Sequence, residues 1–550
     1  MKRAGLYILG VLLSLTPLAG VRASNIQIAS VKVSKIDETM AYIQFDLSWD
    51  YSWRDRRHYN WDAAWVFMKS YSSYFKTWQH VYPEEPQGAP VPTGGGSHMA
   101  QPHSIGNSNV VFWSDFGYCR TDFGERPAGF FIYRNEVSNG SNLIENIRIK
   151  WNYAADGYLP EDNLQVSVFA IEMVYIPAHN YIIGDGTSPN ALYVNDKNLI
   201  IKTDLNDKRA KFMGTVEDET GFTYLGTPVP DTFPKGKKAF YIMKYEISQH
   251  AYADFLNTLT IEQQTARAQC SPYAAKGTLA MVPPAYNSNP GQYRNYIRLR
   301  SPALPETDDE PATPAKFGHS LTGGNGDMDW DMETNGGNVA CNFLSFDDGL
   351  AYLDWACLRP FTEMEFEKAC RGIRFLRKDM AWGAQYGLAI NRAGTKDPYF
   401  TNPFTPNERP KDTTCCYLET GKAPWVIRCG GFAFDSSNRE QSGATYYGVM
   451  NMSDNLWERC VNVSTEAGRS FIPVEGDGIL DEGTNAGDAY VPKDLYDETS
   501  CWPGKEGFGF RGNQVSNRTY AESQWINKGE AERNPYTGFR GARSIPVGAE

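Results

Sequence analysis

The sequence predicts an α+β protein, in which an N-terminal β-sandwich precedes a longer region of short strands, few helices and long polar loops. Two observations predict this class. Between residues 24 and 170, short runs of alternating apolar and polar residues are separated by turn residues, with no helical periodicity of useful length. After residue 171, capped helical patterns alternate with polar loops.

The composition limits the possible functions. The chain has 550 residues, 53 Lys+Arg against 65 Asp+Glu, and a formal net charge of −12. At about 150 residues per domain, this length predicts two to four domains. The aromatic share of 13% argues against intrinsic disorder. The acidic balance argues against a nucleic-acid partner, because affinity for phosphate requires surplus Lys and Arg.

The first 23 residues have the pattern of a signal peptide. Lys2 and Arg3 precede a mostly apolar run, and residues 21–23 resemble a signal peptidase cleavage site. No later stretch has the length and hydrophobicity of a membrane-spanning helix. We therefore expect an exported protein, periplasmic or at the cell surface, with no transmembrane segment in its mature chain.

Seven strands are predicted in the N-terminal region, at residues 26–33, 41–49, 63–68, 109–113, 129–133, 144–151 and 164–170. Turn signals at Asn139–Gly140 and Asp156–Gly157 separate some of them. His98 and His103 lie in a Pro/Gly-rich loop between these strands. Without a third ligand, we expect them to be exposed loop residues.

Three helices are predicted from their capping residues: after Ser248, after Ser345 with Asp348, and after Thr362 with Glu365. The first also shows an apolar stripe at three- and four-residue spacing over 249–259. Glu363, Glu365 and Glu367 crowd the start of the third helix. Because a helix N-terminus favours negative charge, we expect these three to serve capping and solvation.

Ten cysteines in an exported chain permit disulfides, although their spacing does not give the connectivity. No C-x-x-C motif is present, so neither a zinc ribbon nor a thioredoxin-type dithiol is indicated. We expect a mixture of structural bridges and buried thiols.

Seven collinear segments of the second region resemble the formylglycine-generating enzyme (sulfatase-modifying factor) family. They are 173–184, 240–257, 346–352, 359–372, 382–383, 447–458 and 538–544. The sixth matches a G-x-x-x-x-x-G-N-x-W-E motif in which Asp454 replaces a usual glycine. The resemblance implies a C-type-lectin-like fold with little regular structure over 171–550, after a β-sandwich over 24–170, in an exported bacterial member of the family.

The resemblance also implies a structural calcium ion. Its ligands on this chain would be the side chains of Asn451 and Glu458 and the backbone carbonyls of Asp454 and Leu456. Asp454 would then take a backbone conformation less comfortable than that of glycine. Alternatively, Glu458 only ties the loop to nearby N–H groups.

The catalytic feature of the family has no counterpart in this chain. The family's enzymes hold copper with two C-terminal cysteine thiolates and use oxygen to oxidise a substrate cysteine. The corresponding stretch here, 512–523, contains no cysteine, and none follows Cys501. Copper is therefore not expected, since oxygen ligands replace thiolates poorly for Cu(I), and no catalytic residue is assigned.

Two functions remain open. The first is a non-catalytic pseudoenzyme that acts in binding or envelope assembly, with a protein or glycan ligand. The alternative is an active oxidoreductase of the formylglycine-generating class that modifies a sulfatase cysteine with relocated thiols such as Cys460 and Cys501. We expect those two cysteines to form a structural disulfide instead.

Overall fold

The protein was analysed as a computed structural model. It describes residues 25–74, 76–84, 112–121, 124–183, 214–216, 223–224, 227–286, 293–308, 311–321, 330–331, 336–372, 380–383, 400–403, 405, 408–410, 426–433, 437–480, 501–512 and 533–545. The predicted signal peptide, His98, His103 and the vicinal pair Cys415–Cys416 lie outside these residues.

The strands of the N-terminal region are β1 Gln27–Lys35, β2 Met40–Asp55, β3 Asn60–Ser72, β4 Thr77–His80, β5 Phe112–Thr121, β6 Gly124–Arg134, β7 Ser138–Asn152 and β8 Gln165–Ile176. They are followed by β9 Tyr181–Ile183, β10 Gly214–Val216, β11 Thr223–Tyr224, β12 Thr227–Pro228, β13 Phe240–Met243, β14 Ile297–Ser301 and β15 Lys316–His319. The last are β16 Phe400–Thr401, β17 Arg409–Pro410, β18 Trp457–Val461, β19 Phe508–Arg511, β20 Thr537–Gly538 and β21 Ala542–Ser544.

The helices are α1 Gln249–Leu256, α2 Ile261–Arg267, α3 Phe346–Trp355, α4 Glu363–Arg371, α5 Arg439–Ser442 and α6 Glu466–Arg469. Short 3-10 turns occur at Pro284–Tyr286 and Lys505–Gly507. Within the described residues, no helix is long and apolar enough to cross a membrane.

Two layers of strands face each other in the N-terminal region and are joined where the end of β2 pairs with the start of β3. β2 pairs with β1 and β7, while β3 pairs with β4, β6 and β8, and β5 pairs with β6. The alternate side chains of β3 point to opposite faces, so Ala64, Val66 and Met68 pack with apolar residues of β2 and β7 in one core. The predicted α+β class with an N-terminal β-sandwich is confirmed.

One predicted turn is wrong. Asn139 and Gly140 lie inside β7, where Gly140 pairs with Ser52 beside a register shift and has a φ of 131°. Glycine here serves an irregularity within the strand pair rather than a chain reversal. The turn at Asp156–Gly157 is confirmed, with the Gly157 N–H bonded to the Ala154 carbonyl at 3.1 Å.

β8 joins the two regions of the chain into one sheet. It pairs along one edge with β3 and along the other with β13, which in turn pairs with β21 near the C-terminus. Residues 170 and 171, between which the sequence places a domain boundary, both lie inside this strand. The face of this sheet opposite the sandwich core packs Trp65, Phe67 and Met243 against α1 and α3.

The three predicted helices begin where their caps indicate. The Ser248 side chain accepts the Ala251 N–H, and capping boxes form at Ser345 and Thr362. A fourth helix, α2, was not predicted, although Thr260 and Gln263 form the same kind of capping box before it. The local cap chemistry therefore marks helix starts reliably in this chain.

Glu363, Glu365 and Glu367 of α4 were expected to cap the helix and to be solvated, and the expected solvation is wrong. Glu365 does cap the helix, but all three are buried. Glu363 and Glu367 lie 3.0 and 3.1 Å from the guanidinium of Arg511, and Glu365 lies 2.7 Å from that of Arg359. The reason is tertiary, because each carboxylate meets a buried cation, and these ion pairs hold α4 in the core.

Candidate functional site

The predicted calcium ligands lie in a turn over residues 451–456 and at the start of β18, and this turn contacts the residues that follow β13. Asn451 and Asn455 have left-handed backbones, with φ of 59° and 67°. Asparagine adopts this conformation more readily than most residues. Asp454 is not among the described residues with positive φ, so the strain expected there is wrong, and the two asparagines make the turn.

Asn451 and Asp454 contact each other in the interior of this turn. Asn451 Oδ1 accepts the Gly430 N–H at 2.8 Å, and its Nδ2 donates to Asp454 Oδ1 at 3.0 Å. Asp454 Oδ2 is buried and has no hydrogen-bond partner among the described residues. Burial raises the pKa of Asp454 to about 7.

Glu458 lies on β18, next to β19 and β20, and is fully buried. Arg540 donates to both of its oxygens, from Nε at 2.7 Å and from Nη2 at 2.8 Å. The remaining Arg540 donors bond the carbonyls of Met243, Lys244 and Met450. This bidentate pair fixes Glu458 against β13 and the turn.

A third buried carboxylate, Glu246, was not predicted. Its oxygens accept the Leu456 N–H at 3.0 Å and the Asn455 side-chain amide. Burial, with Glu458 nearby, raises its pKa well above the usual range. Its sequence signal was an acidic residue between the apolar residues Tyr245 and Ile247, immediately before the cap of α1.

The residues present fit a hard cation in the type of their donors. Asn451 and Asp454 supply oxygen atoms from the turn, Glu458 supplies them from the start of β18, and Leu456 lies between these residues in the sequence. Three buried carboxylates, those of Glu246, Asp454 and Glu458, surround a single guanidinium, so an additional positive charge would relieve their repulsion. Among the described residues, however, no group of three or more His, Cys, Asp or Glu side chains is placed to hold a metal ion. A site here would therefore need amide and backbone oxygens in addition to the carboxylate of Glu458.

Residues 206–545 match the family model of the sulfatase-modifying factor enzyme 1-like domain. The match covers more than half of the chain. The chain belongs to this family. A comparison with curated proteins finds no match.

The described cysteines are free thiols whose raised pKa values disfavour the thiolate form that binds copper. Eight cysteines are described, namely Cys119, Cys270, Cys341, Cys357, Cys370, Cys429, Cys460 and Cys501, and all are free. The disulfide expected between Cys460 and Cys501 is therefore not formed. Burial raises the pKa of each of the eight, to about 11 at Cys270 and about 12 at Cys357.

The stretch that corresponds to the family's cysteine pair begins at the end of β19. Arg511 is held there by Glu363 and Glu367, and Gly512 follows with a φ of 76°. An added Cβ on Gly512 would lie 3.3 Å from the Leu456 carbonyl oxygen, so this end of β19 adjoins the turn of the candidate cation site. Residues 513–523 lie outside the described part of the chain.

The described histidines do not form a metal centre. His250 and His319 are neighbours, with ring centroids 5.4 Å apart, and lie close to Asp254 and Asp331. His80 is buried against Cys357, at 3.7 Å from its sulfur. Within the residues described, none of these groups has the arrangement of a metal site.

Proposed function

We propose that the protein is an exported, non-catalytic member of the sulfatase-modifying factor family that acts in binding or envelope assembly. One observation carries this proposal: seven of the eight described cysteines are buried and Cys270 is half-buried, burial raises the pKa of all eight thiols, and the sequence has no cysteine after Cys501. Copper and its oxygen chemistry need thiolates that can approach each other. Protonated thiols dispersed through a core do not supply them.

Export to the periplasm or cell surface is part of the same proposal and rests on the apolar pattern of residues 1–23. The partner is a protein or a glycan ligand at the cell envelope. The continuous sheet supports a scaffolding role, because β8 pairs with both β3 of the N-terminal region and β13 of the family domain. Such a scaffold presents surfaces without requiring a reactive centre.

We also propose a structural calcium ion at the turn of Asn451, Asp454, Leu456 and Glu458. The unpartnered Asp454 Oδ2 and the excess of carboxylates over guanidinium at this turn support it. Bound there, calcium would neutralise charge and hold the turn in place. The turn is then a structural element and takes no part in a reaction.

Mass mapping of free thiols, before and after denaturation, tests the proposed function. The expected result is that the seven buried cysteines resist a membrane-impermeant alkylating reagent in the native protein and react once it is unfolded, whereas the half-buried Cys270 reacts slowly in the native protein because its pKa is raised. Two cysteines that react rapidly in the native state, and whose reaction is blocked by Cu(I), would support the enzyme instead.

A further inference from the structure

A lysine and two carboxylates meet in the interior, on three neighbouring strands. Asp62 lies on β3, Glu172 on β8 and Lys244 directly after β13, and β8 pairs with both of the other strands. Lys244 Nζ lies 2.8 Å from Glu172 Oε2 and 3.3 Å from Asp62 Oδ2. Each of the three residues is at most 4% exposed. An amine and two carboxyl groups are therefore held in contact away from bulk water, and such fixed proximity favours a reaction between them.

The charges of this cluster do not balance. Two carboxylates face one ammonium, and Glu172 Oε1 has no hydrogen-bond partner among the described residues. Arg134 is near Asp62 but donates to the Ser52 hydroxyl at 3.1 Å. Burial raises the pKa of Glu172, although Lys244 opposes this effect. An amide bond between Lys244 and Asp62 would remove one buried ammonium and one buried carboxylate, both of which are costly to desolvate.

The carboxyl group of Asp62 is held by three donors besides the lysine. Ser52 Oγ and the Trp53 N–H donate to its Oδ1 at 2.7 and 2.9 Å, and Trp49 Nε1 donates to its Oδ2 at 3.1 Å. If a nitrogen attacks Cγ, negative charge develops on the oxygen that is retained. The two donors at Oδ1 are already in place to stabilise that charge. They also fit the carbonyl oxygen of an amide product.

We propose that Lys244 and Asp62 condense into an intramolecular amide bond after the chain has folded, with Glu172 as the proton carrier. Glu172 takes two protons in turn from Lys244 Nζ and passes them to Asp62 Oδ2. A bond forms between Nζ and Cγ, the bond between Cγ and Oδ2 breaks, and Oδ2 leaves as water. Glu172 ends in its starting protonation state. No atom is oxidised or reduced, so the step needs no further reactant.

The reaction should be slow. Burial opposes the charge of Lys244, but the two carboxylates outweigh it and hold the pKa of Lys244 above its usual range, so the neutral amine is a minor species. The bond therefore forms with time from the ion pair that the structure shows. Its product would tie β3 of the N-terminal region covalently to the residue after β13 of the family domain, across β8.

Intact-mass spectrometry of the mature protein tests the proposal. Reducing conditions keep disulfides from altering the mass. A growing fraction of chains, followed from purification over several weeks, should be lighter than the sequence by one water molecule. Tandem mass spectrometry of a tryptic digest should then find a branched peptide in which the side chains of Lys244 and Asp62 are joined.

Four variants sharpen this experiment. Lys244→Arg keeps the cation but has no primary amine, and Glu172→Gln removes the proton carrier, so both should keep the full mass. Asp62→Asn should lose ammonia in place of water, because the leaving group is then nitrogen, and a purely structural role predicts no such loss. Lys69→Met is the matched control, since Lys69 is also buried but donates to the Gly478 carbonyl, and it should still lose water.

Circular dichroism confirms that each variant is folded before its mass is followed. Three results overturn the proposal: the protein keeps the mass of its sequence throughout, the lost water maps to other residues, or Lys244→Arg or Glu172→Gln still loses water. A stability measurement on Lys244→Met removes the ion pair and the bond together, so the mass is what separates them. The thiol mapping is unaffected by any of these results.

Discussion

Lys244 and Glu172 form a buried ion pair, with 2.8 Å between Lys244 Nζ and Glu172 Oε2. Asp62 on β3 lies 3.3 Å from the same ammonium. Lys244 directly follows β13 of the family domain, whereas Asp62 and Glu172 lie on the strands of the sandwich sheet. Although burial opposes its charge, Glu172 and Asp62 keep the pKa of Lys244 above its usual range. The pair therefore joins the two regions electrostatically as well as through the sheet.

Lys244→Met should destabilise the whole protein. The substitution leaves two buried carboxylates without their cation, which costs about 3–5 kcal/mol. Glu172 suffers most, because its Oε2 loses Lys244 and its Oε1 has no hydrogen-bond partner among the described residues. Asp62 still accepts hydrogen bonds from Trp49 and Ser52. Urea denaturation should show a single transition at a lower midpoint, since the shared sheet makes both regions unfold together.

Two further variants control this experiment. Lys32→Met removes an exposed charge and should change the free energy of unfolding by less than about 0.5 kcal/mol. Adding Glu172→Gln to Lys244→Met should recover part of the loss, because it removes one uncompensated charge. Two separate transitions in the original protein would contradict the continuous sheet as one folding unit.

Arg540→Met should be at least as damaging as Lys244→Met. Arg540 is fully buried and donates to Glu458 and to three backbone carbonyls, so the substitution orphans several groups at once. We expect a loss of about 3–5 kcal/mol by chemical denaturation. The exposed Arg56→Met is the control. A loss below about 1 kcal/mol would show that Arg540 does not hold the turn.

Lys69 gives the stability a pH dependence. Its ammonium is buried and donates to the Gly478 carbonyl, and burial lowers its pKa to about 8. From about pH 8 to the ordinary pKa of 10.5, the unfolded chain carries a proton that the folded protein has released. The contribution of Lys69 to stability therefore rises with pH through this window, by about 3 kcal/mol in total.

Comparison with Lys69→Met isolates this contribution, because the other groups that titrate in the same range are present in both proteins. The difference in unfolding free energy between the original protein and Lys69→Met should rise in favour of the original from pH 8 to 10.5. The exposed Lys505→Met should show no such trend. A difference that stays constant over this range would mean that Lys69 keeps an ordinary pKa.

Calcium should raise the thermal midpoint of the protein relative to EDTA. A ligand that binds only the folded state at a hundred times its Kd stabilises by about 2.7 kcal/mol. Asn451→Ala and Glu458→Gln should lose this response, and the exposed Glu466→Gln should keep it. Equal thermal midpoints in calcium and in EDTA would contradict the calcium site. Glu458 would then serve only as the ion-pair partner of Arg540.

Local sequence patterns predicted the elements of this fold well. The alternating runs give the strands of the sandwich, and Ser248, Ser345 and Thr362 cap the helices as expected. These features depend on residues within a few positions of each other. The resemblance, taken from seven collinear motifs, then predicted the family, and the family match over 206–545 contains six of those motifs.

Long-range ion pairs were beyond the reach of such patterns. From the sequence, Glu363 is expected to act as a helix-cap residue. In the structure it pairs with Arg511, which is 148 positions away. Glu246 was not predicted for a similar reason. It accepts a hydrogen bond from the backbone N–H of Leu456, which is 210 positions away. The joining of the two regions also depends on strand pairing. The sequence of β8 does not show that β3 and β13 are its neighbours.

Copper binding by the reduced protein tests the absence of catalysis most directly. Anaerobic titration with Cu(I) against a competing chelator measures the affinity, and an oxygen electrode then records turnover with a cysteine-containing peptide. We predict that the chelator keeps the metal and that oxygen consumption equals the protein-free rate. One Cu(I) per chain bound by two cysteine sulfurs, with oxygen uptake and an aldehyde in the peptide, would contradict the non-catalytic role.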